Sequence, residues 1–214
     1  MNLRAFRLLY QTWWRGKPVK PPYSHIVQVG DPVLRQPANL VDLEKINSDF
    51  MKQVYRRMRL LMNKTGACGL CAAQVGVPLR VFAIHVPSMK EFESPAIYRH
   101  RQMHPVPFQI WVNPEMKVLN YDKVIFDEGC ESIKGFAADV PRYKTVMLTG
   151  LDEEGVPKQW EADGWSARIV QHEMDHLDGR LYVDIMQPKS LSCTCWNVVN
   201  SKEGRVYITY IPGK

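Results

Sequence analysis

Hydrophobic residues recur at intervals of three or four positions in two parts of the chain, which predicts two amphipathic helices. The first runs from Asp42 to Lys64, and its apolar positions are Leu43, Ile46, Phe50, Val54, Met58 and Leu61. The second runs from Trp165 to Asp178, with Asp163 as its N-terminal cap and Gly179 as the residue that ends it. Each helix is expected to bury one face against the rest of the protein.

Short apolar or alternating runs between turn residues predict β-strands. The runs are RVFAIHV (80–86), IWVN (110–113), KVLNY (117–121), KVIF (123–126), KTVMLTG (144–150) and PKQWEA (157–162), with RVYITYI (205–211) as a further candidate. The polar, proline-broken stretch from Ser88 to Pro107 predicts a mobile loop. Such short, turn-separated strands are typical of an antiparallel sheet, so the predicted class is α+β, with an additional N-terminal helix.

The formal charge of +6 is concentrated at the N-terminus. Residues 1–30 carry five basic residues and no acidic one, which leaves a net charge of only +1 for residues 31–214. A near-neutral body gives little support for nucleic-acid binding. No apolar run approaches the roughly 18 residues that would predict a membrane-spanning helix.

The N-terminal segment itself has the composition of a mitochondrial transit peptide. It is arginine-rich and acid-free, and Leu3, Phe6, Leu9 and Trp13 recur at helical spacing. A disordered basic tail is the alternative, and a secretory signal fits less well because charged residues interrupt any apolar core. We therefore expect a leader and linker over residues 1–24, a single catalytic domain over residues 25–214, and a location in the mitochondrial matrix.

The five cysteines, at positions 68, 71, 130, 193 and 195, form no regular disulfide framework, which favours a reducing compartment. Cys68 and Cys71 form a C-x-x-C pair, which can indicate a redox couple or half of a structural zinc site. Cys193 and Cys195 can be considered as the other half of such a site. The βαβ pattern expected around a thioredoxin-like couple is absent from the sequence.

The stretch QHEMDHLDG contains the motif H-E-x-x-H at His172, Glu173 and His176. Two histidines four residues apart leave a helix on the same face and can converge on one metal ion. Glu173 is then placed to act as a general base toward a water at that metal. Trp165 and Ile169 share the helix face of His172 and are candidates for the wall of an apolar substrate pocket, besides a simple role in the core.

A catalytic metal site usually has three protein ligands, so a third is required. The metzincin pattern places it at position 182, where this chain has a tyrosine. Glu203 is the only glutamate after the motif and remains a candidate for a metallopeptidase-like site. Cys130 is favoured, because its thiolate is a good ligand and Gly129 beside it permits a close backbone approach.

Three motifs in chain order resemble those of peptide deformylases, most closely the animal mitochondrial type. They are ACGLCAAQ (67–74), EGCES (128–132) and QHEMDHLDG (171–179), and the resemblance extends from about Val29 to Met186. The chain departs from the family pattern in having Ala67 for the first glycine, Cys71 for the first alanine, and Glu131 where bacterial members usually have leucine.

The resemblance implies specific roles for residues around the motifs. Gln74 and the backbone N–H of Glu131 would donate hydrogen bonds to the oxyanion. The substrate backbone would pair near Gly69 and Gly129, as an extended peptide adds to a sheet edge. Cys68 would be a small residue of the substrate pocket.

The resemblance also implies the reaction, the hydrolysis of the N-formyl group from the initiator methionine of newly synthesised polypeptides. The expected cofactor is one divalent metal ion; iron(II) is favoured as the native ion, and zinc or cobalt can occupy the same ligands. The expected fold is then a set of antiparallel strands around a central metal-binding helix, and a homodimer remains open. A non-catalytic module that uses the metal only for stability is the alternative from a different class.

Overall fold

Six antiparallel strands form one sheet in this computed structural model, which describes residues 19–92 and 94–210. The strands β1 to β5 pair in sequence order, and β6 pairs with the beginning of β4. Their bounds are Gly69–Cys71 (β1), Val81–Val86 (β2), Val106–Gly129 (β3), Phe136–Leu151 (β4), Pro157–Asp163 (β5) and Ser192–Cys193 (β6). The predicted α+β class with an antiparallel sheet is confirmed.

Four α-helices accompany the sheet within the described ranges. They are Asp49–Thr65 (α1), Pro95–His100 (α2), Gly164–Leu177 (α3) and Trp196–Ser201 (α4). Short 3-10 turns lie at Pro32–Arg35, Leu43–Lys45, Ala72–Val75, Glu131–Ile133 and Tyr182–Asp184. None of the helices in the described part of the chain is both long and apolar enough to cross a membrane.

The N-terminal helix α1 begins later than its hydrophobic pattern predicts. The Ser48 hydroxyl accepts a hydrogen bond from the Met51 N–H, so Ser48 is the N-terminal cap, and the residues before it form a separate 3-10 turn. Leu43 and Phe50 are therefore exposed rather than buried. Gly66 ends the helix at a φ of +73°, which accounts for a glycine beside Ala67.

Three of the predicted strands are parts of the single long strand β3. The turn-like residues that separate them in the sequence fall at irregularities in the pairing of β3 with β4. Asn113 has a φ of +49°, and the register shifts between Val112 and Glu115 and again around Asn120. A strand can absorb such residues in bulges without ending, which a reading of local turn propensity does not anticipate.

Two further expectations were wrong. The segment Val206–Tyr210, predicted as a strand, has no regular structure, and its Tyr207 side chain is 93% exposed. The proline-broken segment around residues 88–107 is not wholly irregular, because it contains α2 and the beginning of β3. Tyr98 and Met103 of this segment are buried in the main core.

The central strand β2 separates the two halves of the core. Phe82 and Ile84 pack on the side that also holds Ile169 and Leu177 of α3, whereas Val81 and Ala83 pack on the side of α1. Alternate residues of a strand point to opposite faces, so both faces of β2 are buried, and its sequence is a nearly continuous apolar run. Helix α3 contacts each of the strands β1 to β5.

The N-terminal arm that precedes α1 is bonded to the loops beneath α3. The backbone N–H groups of Tyr23 and Val27 donate to the carbonyls of Val75 and Gln74, both at 2.9 Å. The Val29 N–H donates to the Ser132 carbonyl at 2.8 Å. The arm therefore fixes two loops that carry candidate site residues.

Candidate metal centre

Helix α3 carries the H-E-x-x-H motif into the interior of the protein. Glu173 and His176 are buried, and the His172 side chain is 13% exposed. Asp163 occupies the N-cap position, as predicted, but its side chain makes no capping hydrogen bond. Gly179 follows the helix at a φ of +74°, where its Cα packs tightly against the backbone of Arg35 and Gln36. The helix is thus held at its C-terminal end by the N-terminal arm.

Cys130 joins the two histidines at the end of β3. Its Sγ lies 3.2 Å from His176 Nε2. Each of the three residues Cys130, His172 and His176 offers one ligand atom, and these three atoms lie within 4.8 Å of one another. No other such group of His, Cys, Asp or Glu side chains occurs in the part of the chain that the structure describes. The structure therefore brings together the three residues that the sequence predicts as ligands.

A buried network of charged residues fixes the orientation of the His172 imidazole. The His172 Nδ1 lies 3.1 Å from Glu128 Oε2, so the imidazole can offer its other nitrogen to the cluster. Glu128 also accepts two hydrogen bonds from Arg142, both at 2.9 Å, and one from Arg168 at 2.6 Å. Arg142 in turn bonds Asp175, the residue just before His176.

Burial alone would raise the pKa of Glu128, but hydrogen bonds from His172 and Arg142 hold it well below its ordinary value. Glu128 is therefore a permanent carboxylate that can fix the tautomer of His172. Sequence reasoning missed this network, although Glu128 stands two residues before Cys130 in the EGC motif. Arg142 gives no signal in the sequence, because only the fold brings it to Glu128.

The chemistry of the three donors fits a divalent metal ion. One thiolate and two imidazoles leave a fourth position open, which is the arrangement of a catalytic rather than a structural site. Burial keeps the pKa of His176 well below its ordinary value, so this imidazole is neutral, as a ligand must be. Burial also disfavours the charged form of His172, but hydrogen bonds with Cys130 and Glu128 raise its pKa well above the ordinary value. A metal ion bound at His172 would therefore displace a proton.

Glu173 lies beside the cluster in a site with little polar contact. Burial raises the pKa of its carboxyl group to about 7, a value suited to accepting and returning a proton near neutral pH. Its Oε2 is buried and has no hydrogen-bond partner among the described residues. The Cα of Gly69 packs so closely that a Cβ there would collide with Glu173 Oε1 and with Ile169 Cγ2. A glycine at position 69 is thus required by the position of Glu173.

The Gln74 amide is held with its NH2 group toward the cluster. Its Oε1 accepts from the Cys71 N–H at 2.9 Å, and its Nε2 donates to Ser132 Oγ at 3.1 Å and lies 3.6 Å from Cys130 Sγ. These contacts fix which end of the amide faces the cleft. Gln74 can therefore donate a hydrogen bond next to the metal ligands.

A cleft of about 440 Å³ opens onto the cluster, within the size range of small-molecule and peptide sites. Every residue that the sequence predicts for the substrate lies on it, namely Cys68, Gly69, Gly129, Trp165 and Ile169, together with Gln74 and Glu131. The structure adds residues from distant segments that no motif indicates, namely Phe92, Arg101, Met103, Asp127, Lys134 and Thr194.

A charged pair lies at the apolar end of this cleft. Arg101 Nη2 is 2.9 Å from Asp127 Oδ1, and the Arg101 guanidinium stacks 4.2 Å above the centre of the Trp165 ring. The predicted apolar pocket therefore also contains a charged pair. The two charges nevertheless satisfy each other, and the guanidinium face covers the aromatic wall.

A family model for polypeptide deformylases matches residues 23–191, which is most of the chain. The chain belongs to the polypeptide deformylase family. This assignment agrees with the deformylase motifs, the antiparallel fold and the Cys–His–His cluster. The predicted activity, removal of the N-formyl group from newly synthesised polypeptides, is confirmed by this membership and by the relatives.

Several deformylases resemble the chain over most of its length. A mitochondrial peptide deformylase of Homo sapiens is 41% identical over 199 residues, which cover 90% of this chain and 82% of that protein. Peptide deformylase 3 of Streptomyces avermitilis is 42% identical over 167 residues, covering 78% and 73%. Among solved structures, a Synechococcus elongatus deformylase in complex with actinonin has 33% identity and a TM-score of 0.64, covering 89% of this chain and 91% of that chain.

The structure does not support a redox couple at Cys68 and Cys71 or a metal-ligand role for Glu203. Glu203 lies in a turn, where its side chain is 82% exposed and pairs with Arg205. Cys71 is fully buried, and burial raises the pKa of both Cys71 and Cys68. A thioredoxin-like couple instead needs an accessible thiol of low pKa.

Proposed function

We propose that deformylation by this chain occurs at the cluster of Cys130, His172 and His176, with α3 as the metal-binding helix around which the strands pack. The observation that carries the proposal is the convergence of one ligand atom from each of these residues within 4.8 Å, beside the buried carboxylate of Glu173. Bound there, a divalent metal would activate a water and stabilise the developing negative charge. We propose iron(II) as the native ion, with zinc and cobalt(II) as substitutes that accept the same ligands.

Glu173 is the general base and acid of the proposed reaction. Its carboxylate accepts a proton from the attacking water and later delivers it to the leaving amine, so that formate and a free N-terminus are released. The raised pKa supports both transfers, because neither protonation state is strongly favoured near pH 7. Proton transfer by a positioned side chain typically contributes a factor of about 100 to 10,000 in rate.

Gln74 Nε2 and the Glu131 N–H are the proposed hydrogen-bond donors to the formyl oxygen. The fixed orientation of the Gln74 amide supports this role, since such donors act best when they need not reorient. The peptide group that contains the Glu131 N–H is held as well, because its carbonyl, that of Cys130, accepts from the Ile133 N–H at 2.9 Å. Because the Glu131 contribution comes from the backbone, the glutamate side chain does not prevent it.

The substrate is proposed to bind as an extended chain that begins with formylmethionine. Strand β1 is at one end of the pairing order, so its outer edge near Gly69 can accept a peptide strand, with Gly129 opposite. The methionine side chain would lie against Trp165, Ile169 and Cys68, where its flexible thioether gains from aromatic contact. A charged first residue would have to compete with the Arg101–Asp127 pair and lose its own hydration.

The location that we propose is the mitochondrial matrix, with residues 1–24 as leader and linker and residues 25–214 as the catalytic domain. The basic composition before Asp31 and the mitochondrial relative support this location, although a relative from Solanum lycopersicum is named chloroplastic. The predicted transit peptide falls mainly on residues 1–18, outside the described ranges. We propose no nucleic-acid partner. Formation of a homodimer remains a prediction.

The test of this function compares the specificity constants for formyl-Met, acetyl-Met and formyl-Asp peptides on one anaerobically metal-loaded preparation. We expect turnover of formyl-Met, none of acetyl-Met, because the larger acyl group collides with Gln74, and a strong loss for formyl-Asp. Formyl-norleucine should remain a substrate, because small changes in an apolar pocket cost only about 1 to 3 kcal/mol. Equal turnover of the acetyl and formyl peptides would contradict the proposed pocket.

Metal analysis of single variants tests the ligand assignment. Cys130→Ala should lose the metal, whereas Cys68→Ala and Glu203→Ala should retain it, because neither residue lies in the cluster. Glu173→Ala should keep the metal and lose turnover. Retention of a full metal equivalent without Cys130 would refute the ligand assignment, and full activity without Glu173 would refute its role as the base.

A further inference from the structure

Cys193 and Cys195 flank a residue that lines the cleft, on a segment that the deformylase chemistry does not use. Strand β6 pairs Cys193 with Phe136 of β4, and the Thr194 N–H donates to the Gly135 carbonyl at 2.9 Å. Thr194, the residue between the two cysteines, lines the same cleft as the metal cluster. Any change in the covalent state of the two cysteines is therefore made next to the substrate site.

The two thiols face each other. Their Sγ atoms are 3.6 Å apart, and both side chains are partly exposed. A disulfide has an S–S distance of about 2.05 Å, so the sulfurs must approach by about 1.5 Å, which small side-chain rotations can provide. Cys71 and Cys130 differ, because Cys71 is fully buried and Cys130 Sγ lies 3.2 Å from His176 Nε2.

We propose that Cys193 and Cys195 form a dithiol modification site, which low-molecular-weight disulfides such as glutathione disulfide oxidise to an intramolecular disulfide. The disulfide encloses Thr194 in a small ring and fixes this part of the cleft wall. The site is separate from the metal ligands. Its effect on substrate binding rests on the proposed function, whereas the formation of the disulfide does not.

The exchange balances with glutathione disulfide as the oxidant. One thiolate of the pair attacks a glutathione sulfur, forming a mixed disulfide and releasing one glutathione thiolate. The second thiol loses its proton and attacks the protein sulfur of the mixed disulfide, releasing the second glutathione. Two thiols are thus oxidised to one disulfide, and glutathione disulfide is reduced to two glutathione molecules.

The location of the pair favours a reversible bond over a permanent one. Partly exposed or strained disulfides have higher reduction potentials and are the labile ones. A loop that closes over a single intervening residue also constrains the unfolded chain very little, so it adds little stability. Fixing Thr194 should alter the binding of substrate residues after the first one. The first residue is proposed to contact Trp165 and Ile169, which lie on α3 and not on the segment of Thr194.

Peptide mapping of the metal-loaded protein tests the modification directly. Trypsin should release Ser190–Lys202, a peptide that contains both cysteines and none of the other three. After equilibration in a glutathione redox series and alkylation of the remaining thiols, we expect this peptide to lose two hydrogens and take up no alkyl group under oxidising conditions. A peptide that stays doubly alkylated, or only carries glutathione, throughout the series would overturn the proposal.

Two variants test the intermediate and the link to the cleft. Cys195→Ser should trap glutathione on Cys193, because the resolving thiol is missing. Oxidation of the wild-type protein should change KM for long formylated peptides by about fivefold, the lower end of known couplings between sites, with a smaller change for a formyl dipeptide. The Cys193→Ser/Cys195→Ser protein should not respond. An equal response of this double variant would place the effect at another thiol and overturn the link to the cleft.

Discussion

Glu173 illustrates how a single residue depends on the space that its neighbours leave. Its carboxylate fits beside the metal ligands only because position 69 has no side chain, and its burial raises its pKa to about 7. The motif H-E-x-x-H predicts the presence of a base but gives no information about its pKa. That value depends on desolvation by residues that are distant in sequence.

Gly69→Ala should abolish most of the activity without removing the metal. The added methyl group would push the Glu173 carboxylate away, since this end of the side chain is the part of the contact that can move. We expect kcat to fall by about 100-fold or more, the typical contribution of a positioned base. Metal content and the far-ultraviolet spectrum should be unchanged. Wild-type turnover by this variant would show that the added methyl group does not displace the Glu173 carboxylate.

The rate of the metal-loaded enzyme should fall as the pH decreases through the pKa of Glu173. Only the carboxylate accepts a proton, and a nearby metal cation favours the carboxylate, so the acidic limb is expected at about pH 7 or below. The pH profile of kcat/KM is the measurement. A rate that rises as the pH falls from 8 to 5 would exclude Glu173 as the base.

The same residue should limit the stability of the metal-free protein at high pH. A carboxyl group whose pKa is raised on folding contributes fully below its unfolded value of about 4.5, and this contribution is lost as pH rises through about 7. Glu173→Gln should therefore stabilise the metal-free protein at pH 8, by at most about 3 kcal/mol. Its advantage should shrink toward pH 5. Thermal unfolding of both proteins at several pH values measures this difference, and a constant difference would contradict the linkage.

Three elements are joined behind the metal ligands by one buried arginine. Arg142 of β4 bonds Glu128 of β3 and Asp175 of α3, and its side chain is only 5% exposed. Removal of one partner from a buried charge network leaves the other charges uncompensated. The relative position of the strands and the helix thus depends on residues that are not ligands.

Arg142→Met should lower the free energy of unfolding by about 3 to 5 kcal/mol and weaken metal binding. The matched control is Lys144→Met, two residues further along β4. Its pair with Asp122 is exposed, at 47% and 69% for the two side chains, so its loss should cost less than about 1 kcal/mol. Denaturant unfolding and metal titration give both quantities. Equal losses in the free energy of unfolding would show that the buried network contributes no more to stability than the exposed ion pair.

The elements differ in how well the sequence predicts them. Helix α3 was predicted almost to its ends, because an apolar period, a motif and a terminal glycine all indicate it. The continuity of β3 was not, since Pro114 and Asp122 signal turns locally while pairing with β4 overrides them. The three proposed ligands, which the structure brings together, could be chosen from residue types and spacing. Arg142 could not, because it lies 14 residues from Glu128 and 33 from Asp175 and no local pattern links them.

At the scale of the whole molecule, the basic N-terminal segment and the folded body meet in the N-terminal arm. Residues 1–30 carry most of the net charge, yet the end of this segment already belongs to the fold. Tyr23, Val27 and Val29 bond the loops that contain Gln74 and Ser132. The proposed leader can therefore be removed only up to this arm.

Deletion of residues 1–18 should leave the activity intact, whereas deletion of residues 1–30 should strongly reduce it. The longer deletion removes the backbone hydrogen bonds that hold the Gln74 and Ser132 loops, and an oxyanion donor out of place costs a factor of about 100 to 1,000. Specificity constants of the two truncated proteins are the measurement. In cells, residues 1–30 fused to a fluorescent protein should direct it to mitochondria. A cytosolic fusion, or full activity without the arm, would contradict the respective half of this prediction.

The pairing of β3 with β4 also has a consequence for the order in which the enzyme is completed. These strands form a long hairpin, and Cys130 lies in its connecting turn, just after the last pair of Gly129 with Ala137. Hairpin contacts are local and can form early, so the thiol and its neighbour Glu128 can be positioned before α3 docks. His172 and His176 arrive only when α3 docks on the finished sheet. A metal ion at the proposed site would therefore bind late, and its retention would report that both halves of the chain have come together.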